Sequence, residues 1–546
     1  MRLVERRIGL LFALFLVLLA AATLRASWLG TVRAGSLKKR ALTQQVEQLD
    51  VPARRGTISD RHGMELAVSE DAATVFANPF LFKNPARASA RLAPLLHLPR
   101  SVLLEKLSDR RKGFVYLRRQ MEAGAGDRVE KLKIEGIGMV LEPRRTYPQG
   151  ALASQVIGSV GTDGYGLSGL EQSRNSTLRG ENGRRRLVKD AFGEPVSIVE
   201  VQRARAGHDM RLTLDAALQG RAEAVLSEIG RTNRPRGATA LVMDPRTGEL
   251  LALANWPRVD ANDVGGAPAY ARQDRAVAAS YEPGSTFKAF TASGALAERL
   301  ITPGTAFDLP PSIRVADRVI GEAHGRGSLR LTVANILAQS SNVGSVMIGL
   351  KLGARRFDRW VRRFGFGRPT GIDLPGEAPG IVLPLGDYSG SSMGNMPIGQ
   401  GLAVTPIQMA QAYSAIARDG VMRTPYVLGG DRRPGKRVLP RKVARQVSRM
   451  LEGVLGPGGT ATEARVPGYR LAGKTGTAEK PDGHGGYSKT KFVASFIGYA
   501  PARDPRLLIA VMVDEPKGQI YGGVVAAPAF EKIMAFALPY LRIPPG

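Results

Sequence analysis

The 546-residue chain has no cysteine, which removes disulfides, thiol nucleophiles and cysteine metal sites together and leaves the redox compartment open. Its five histidines are scattered without the spacing of a metal-ligand set, so no metal is expected. Acidic residues are the minority charge. Against 48 Asp and Glu stand 77 Lys and Arg, a net charge of +29. The excess is mostly arginine spread along the chain, with no basic block, zinc finger or aromatic RNP run, which argues against nucleic acid as a partner. Attraction to anionic lipid head groups and wall polymers, together with solubility, accounts for it.

Long apolar runs are scarce too: Ile8 to Leu24 is the single uncharged one. It is short for a spanning helix but longer than an ordinary signal-peptide core, and Trp28 beyond it suits a membrane interface. A retained anchor is therefore expected over residues 8–25, after a short cytoplasmic tail, 1–7. Basic residues flank the run on both sides, so charge counting favours neither orientation. A short tail before a long following domain fits a protein with its bulk outside, because long domains translocate largely regardless of charge.

What is present is enough apolar residue, 43%, for two or more folded domains. Polar residues 26–50 read as a juxtamembrane stalk. From Val51 to Gly207 short β-compatible runs such as Ala73 to Ala77 alternate with basic helices such as Ser101 to Arg111. After Arg211 the texture changes. A helical pattern over Ala216 to Ile229 precedes a hairpin signal, Ala238 to Ala254, turning at Asp244-Pro245-Arg246-Thr247-Gly248. Helical patterns dominate Ser285 to Leu352, Pro406 to Ala417 and Lys442 to Leu455, and strands return at Phe492 to Tyr499 and Leu507 to Val513. Strands at both ends with helices between them predict an α/β (α+β) fold whose first and last strands share one antiparallel sheet.

Three short motifs carry chemistry. Ser285-Thr286-Phe287-Lys288 places a hydroxyl and an amine on one helical face, so Lys288 can take the Ser285 proton if its amine is substantially neutral. Burial and a nearby cation, Lys474, would lower it. Ser340-Ser341-Asn342 adds a hydroxyl to relay a proton toward a leaving amine and an amide to hold a substrate peptide bond; the plain alternative for Asn342 is a helix cap. Lys474-Thr475-Gly476-Thr477 reads as an edge strand, with glycine where a substrate approaches and Lys474, Thr475 and Thr477 for a carboxylate. The backbone N–H groups of Ser285 and Thr477 form the natural oxyanion pair. The ordered triplet Ser-x-x-Lys, Ser-x-Asn, Lys-Thr-Gly is the signature of serine acyltransferases that react with penicillin.

Further segments extend the match. Arg54-Arg55-Gly56-Thr57-Ile58 with Asp60-Arg61-His62-Gly63, Arg145-Thr146-Tyr147-Pro148, Gly169-Leu170-Glu171, Gly399-Gln400-Gly401, Val404-Thr405-Pro406 and Gly522-Gly523-Val524-Val525-Ala526-Ala527-Pro528 resemble those of the class B penicillin-binding proteins, most closely the cell-division, FtsI-like type, with His62 where Asn is more usual. The resemblance implies a dimerisation-type pedestal at 51–207 and a transpeptidase domain at 208–546. It also implies a periplasmic or cell-surface D,D-transpeptidase in which Ser285 attacks peptidoglycan stem peptides ending in D-alanyl-D-alanine and is trapped by beta-lactams. No cofactor is implied; an FtsW-type membrane glycan polymerase and other divisome proteins are the implied partners.

Competing readings are weaker. Gly390-Ser391-Ser392-Met393-Gly394 with His484 matches a hydrolase elbow but follows a poor strand. Gly164 to Gly169 matches the dinucleotide pattern without its preceding strand. A beta-lactamase needs a carboxylate base, and Glu377 lies in a Pro-Gly turn. A catalytically weak division scaffold would not need every motif side chain. An elongation-type enzyme more often has Asp where Asn342 stands.

Overall fold

The computed structural model describes residues 2–33, 35, 46–189, 195–430, 433–484 and 486–545. The expected stalk therefore lies partly outside the described residues. The helix Arg2–Thr31 is exposed along its apolar length and is a candidate single membrane span. At 1.5 Å per residue, its 30 residues reach about 45 Å, beyond the roughly 30 Å of a hydrocarbon core. The surplus holds Trp28, with the Arg25 and Arg33 guanidiniums 5.8 and 4.6 Å from its ring centre. A second long apolar helix, Gly522–Tyr540, is a core element: Val525, Ala526, Phe530, Ile533 and Met534 are all buried.

The chain resolves into two compact units that do not follow the linear division at residue 207. One comprises residues 1–54, 71–143 and 179–207; the other comprises 55–70, 144–178 and 208–546. In the first, strands Val46–Val51, Gly183–Lys189 and Pro195–Gln202 form an antiparallel sheet, so folded structure begins before the expected Val51. Helices Pro85–Leu96 and Arg100–Ser108 bury Leu92, Leu96, Leu103 and Leu107 with Val75 and Leu117.

In the second unit, ion pairing ties residues 55–70 to residues 144–178, and hydrogen bonds such as Ala216 N–H to Asp60 and Ala153 N–H to Glu223 join the two segments to the catalytic sequence. Arg55 donates to Glu171 Oε2 at 2.6 Å and Arg145 to Oε1 at 2.6 Å, and all three side chains are buried. The Arg55 guanidinium also donates to the Gly164 carbonyl and Asn175, and Arg145 donates to the Gly56 carbonyl. Three motifs distant in sequence thus close into one buried Arg-Glu-Arg cluster, and the glycine-rich loop at 164–169 packs around it instead of cradling a dinucleotide.

The catalytic sheet is antiparallel, as expected. Strands Gly237–Met243 (β1), Leu250–Trp256 (β2), Ala472–Pro481 (β3), Tyr487–Ala500 (β4) and Leu507–Asp514 (β5) run in the order β2-β1-β5-β4-β3. β1, β2 and β5 are apolar and buried on both faces, covered on one side by the helices Ala216–Asn233 and Gly522–Tyr540. β2 and β3 are the two edge strands. The interval Ser285 to Leu352, expected to be dominated by helix, also holds strands: pairs Ala306–Leu309 with Leu329–Thr332, and Ser312–Val315 with Arg318–Gly321, form two short antiparallel ladders.

Replacing Glu171 by Ala leaves two guanidiniums buried without their counter-charge. A destabilisation of about 3–5 kcal/mol is expected, read as a lower melting transition of the detergent-solubilised chain by calorimetry. An unchanged transition would show that the cluster is not holding these segments.

Candidate active site

Ser285 lies in a 3-10 turn, Gly284–Phe287, and Lys288 opens the α-helix Lys288–Ala297. The expected α-helix over both residues is replaced by this junction, but side chains three apart eclipse in a 3-10 turn, so the shared face survives. The turn is fixed from several directions. Thr286 Oγ1 donates to the Pro283 carbonyl at 2.7 Å, and Tyr413 donates its hydroxyl to the Thr286 carbonyl at 2.7 Å. Gly284 N–H donates to Gly399 O at 3.0 Å, and Tyr281 and Val404 exchange two 2.9 Å backbone bonds. Beneath the turn Phe287 packs with Phe290 and Phe366. The motifs at 399–401 and 404–406 therefore clamp the serine turn.

Lys288 is 1% exposed. Its Nζ donates to the Ser340 carbonyl at 2.6 Å and to Asn342 Oδ1 at 2.6 Å, with Ser340 Oγ at 3.3 Å. The two shorter partners are pure acceptors, so they occupy two N–H bonds in either protonation state. The remaining tetrahedral position carries a proton in the ammonium and a lone pair in the amine. Burial pushes Lys288 down to about 7, against an upward pull from the Glu322 carboxylate. Lys474 was expected to do part of this lowering. Repulsion between two buried amines acts on both, and Lys474 in turn is held well below the ordinary lysine range by burial and then by the Lys288 charge.

Ser340 occupies a left-handed joint, φ 60°, between the helices Val333–Ala338 and Asn342–Leu352. That conformation is uncommon for a residue with a Cβ and persists where neighbours enforce it. The helix cap is Ser341, whose Oγ accepts from Gly344 N–H; Asn342 is the first helical residue. Asn342 is held at both ends, Oδ1 by Lys288 and Nδ2 by donating to the Gly321 carbonyl at 2.9 Å.

Glu322, absent from the sequence reading, locks this arrangement. Its carboxylate accepts from Ser341 Oγ at 2.6 Å and Asn342 N–H at 2.7 Å and pairs with Arg326. Burial opposes its charge, but these hydrogen bonds, with Lys288 nearby, hold its carboxyl below the usual range. Gly321, Gly325 and Gly327 interrupt the supposed helix and were the available signal for a hairpin here.

Lys474 is fully buried, donating to the Thr475 carbonyl at 3.2 Å. Gly476 also has a packing reason. A Cβ there would lie 2.4 Å from Ser495 Oγ, 2.9 Å from Thr286 Cγ2 and 3.0 Å from the Pro283 carbonyl, so glycine lets the serine turn pack on β3. Thr475 and Thr477 share the other strand face. Gly522 N–H donates to Thr477 Oγ1 at 3.0 Å, and a Cβ on Gly522 would lie 2.2 Å from the Gly476 carbonyl. The structure thus brings Ser285, Lys288, Ser340, Asn342 and the Lys474–Thr477 strand into one unit, where they can support proton transfer at a serine and binding of an anionic substrate end.

The decoys serve other ends. Glu377 accepts from Thr370 N–H and Gly371 N–H as a turn clamp. Ser392 opens a four-residue helix after a 3-10 turn, without an elbow strand, and His484 lies in a turn whose N–H donates to Asp482.

Residues 238–535 match the penicillin-binding protein transpeptidase domain, and residues 50–212 match the penicillin-binding protein dimerisation domain. The chain is 35% identical over 99% of its length, and 93% of the relative's, to a probable peptidoglycan D,D-transpeptidase PenA of Neisseria meningitidis. It is 33% identical to the peptidoglycan D,D-transpeptidase FtsI of Escherichia coli K12, covering 99% and 92% of the two chains. Among solved structures it is similar to penicillin-binding protein 3 of Mycobacterium tuberculosis complexed with aztreonam, with TM-score 0.72, 30% identity and coverage of 91% and 98%.

Glu322→Gln removes the charge that raises Lys288 while keeping a similar shape. Lys288 should then lose its proton at lower pH, so the acid limb of the rate of labelling by a fluorescent penicillin should move to lower pH. The plateau should also fall, because the amide NH2 faces the Ser341 and Asn342 donors. A limb that stays in place, or moves to higher pH, would show that Glu322 does not set the Lys288 amine.

Proposed function

Since this chain belongs to the class B penicillin-binding proteins and is a serine-type peptidoglycan D,D-transpeptidase of the FtsI-like type, we propose that Ser285 is its acylated nucleophile and that it crosslinks stem peptides at the division septum. The observation that carries this reading is the Lys288 amine. It is buried, pushed down to about 7, and held by two pure acceptors so that only one tetrahedral position changes with protonation.

In this mechanism neutral Lys288 takes the Ser285 hydroxyl proton as Oγ attacks the carbonyl carbon of the penultimate D-alanine. The oxyanion is received by the backbone N–H groups of Ser285 and Thr477. As the C–N bond breaks, Ser340 Oγ, 3.3 Å from Lys288 Nζ, gives its proton to the departing D-alanine amine and recovers one from Lys288. The product is a Ser285 ester. The amine of a second stem peptide attacks that ester, its proton returns through the same groups, and Ser285 is released with a new amide crosslink. A beta-lactam follows the first half, but its leaving amine stays tethered to the acyl group, so the ester persists. Asn342 aligns the substrate peptide bond with its remaining N–H. Thr475 and Thr477 bind the terminal carboxylate, and Lys474 supports Thr475 from below through its N–H groups.

The helix Arg2–Thr31 then serves as the single span, with the catalytic unit on the periplasmic or outer face, where stem peptides are. Glycan strands would come from a separate FtsW-type membrane polymerase within the division machinery.

Ser285→Ala should abolish labelling by fluorescent penicillin on a denaturing gel, and the label on the parent chain should leave slowly. Labelling of the variant would overturn the nucleophile assignment, and release within seconds would indicate a beta-lactamase. Depletion in the native cell should give filaments with unfinished septa; rounded cells would assign the enzyme to elongation.

A further inference from the structure

Thr460 lies outside all three motifs, on the loop that follows the helix Arg441–Glu452. Its Oγ1 is 2.6 Å from Thr475 Oγ1, a short contact between two hydroxyls either of which could donate. The surroundings decide the direction. Thr475 Oγ1 has one proton and two lone pairs. Lys474 Nζ, 3.4 Å away, offers N–H donors to one lone pair. Two positions along the same face of β3, Thr477 Oγ1 accepts from Gly522 N–H, a group that can only donate, so the Thr477 proton is left for another partner. A carboxylate is acceptor-only and needs protons from both threonines.

We propose that Thr460 is a positioning residue for substrate recognition: by donating to Thr475 Oγ1 it fills the second lone pair and turns the Thr475 proton toward the substrate carboxylate, matching the polarity of Thr477. The loop is held for this purpose. Ala461 N–H donates to Val454 O at 3.0 Å and Gly459 N–H to Gly456 O at 3.0 Å. The Thr460 carbonyl abuts Gly523, where a Cβ would lie only 2.3 Å from it. Gly523 is thus the residue that admits the loop beside β3, just as Gly522 admits the helix Gly522–Tyr540. Without the Thr460 proton, the Thr475 hydroxyl is free to turn its own proton away from the carboxylate.

The inference rests on the proposed roles of Ser285 as nucleophile and Thr475 as carboxylate ligand. Its test compares a penicillin with its methyl ester, which accepts hydrogen bonds but lacks the negative charge. In the full-length solubilised chain, Thr460→Val should slow acylation by the free acid roughly tenfold or more, while changing the slower reaction with the ester by less than about twofold. Thr460→Ser, which restores the hydroxyl, should return the acid rate toward that of the parent. An unchanged acid rate in Thr460→Val would overturn the proposal. So would equal losses with acid and ester, which would mark a purely structural residue, or failure of the serine to rescue. A Ser285→Ala variant measured in parallel isolates the underlying reading, since its labelling would remove the nucleophile on which the comparison depends.

Discussion

Lys288 at 1% exposure and Lys474 at 0% place two amines out of water within one site. Burial disfavours the charged form of each, and each charge disfavours the other, so the pair cannot hold two protons as exposed lysines do. The acceptors around Lys288 limit the damage: the Ser340 carbonyl and Asn342 Oδ1 satisfy its N–H bonds whichever form it takes. A buried amine without such partners would be costly in both forms. The balance leaves Lys288 near 7, where it can take a proton from a hydroxyl and return it.

Much of the surrounding structure follows from keeping those acceptors in place. Ser340 must turn left-handed to present its carbonyl and hydroxyl on the same side, and it does so because Ser341 and Asn342 are tied to Glu322 and Gly321. The short ladder between Ser312–Val315 and Arg318–Gly321 is therefore part of the active site, although none of its side chains needs to meet substrate. On the other side, an edge strand supplies Lys474 without a neighbour beyond it, and the missing side chain of Gly476 lets the serine turn close against that strand. The Ser285 turn, the second motif and the strand are each positioned by backbone contacts, so small residues at a few places carry as much of the geometry as the polar side chains of the motifs do.

The three motifs were legible in the sequence because each is a local pattern of reactive types, and the strands at the two ends of the catalytic sequence were legible because their apolar runs are long. Lys474 to Thr477 was likewise read as an edge strand, and β3 lies at an edge of the sheet. What was not legible depends on contacts between distant residues. Glu322 belongs to no motif, and its hairpin has strands of four residues, too short to stand out in a stretch with helical periodicity. Thr460 is an ordinary loop threonine until β3 is beside it.

The unit boundaries show the same limit on a larger scale. Arg55, Arg145 and Glu171 lie within the segment that matches the dimerisation domain, residues 50–212, yet by their contacts they group with the catalytic unit. Two guanidiniums share one buried carboxylate, leaving net positive charge in a region of low dielectric, where mispairing is expensive. Such a cluster is a poor source of raw stability compared with apolar packing but a strong selector of one arrangement, since only the correct approach of all three segments satisfies Glu171 at both oxygens. The chain thus passes through the catalytic unit twice before the catalytic sequence proper begins at residue 208, and Glu171 is what fixes those two passes to each other.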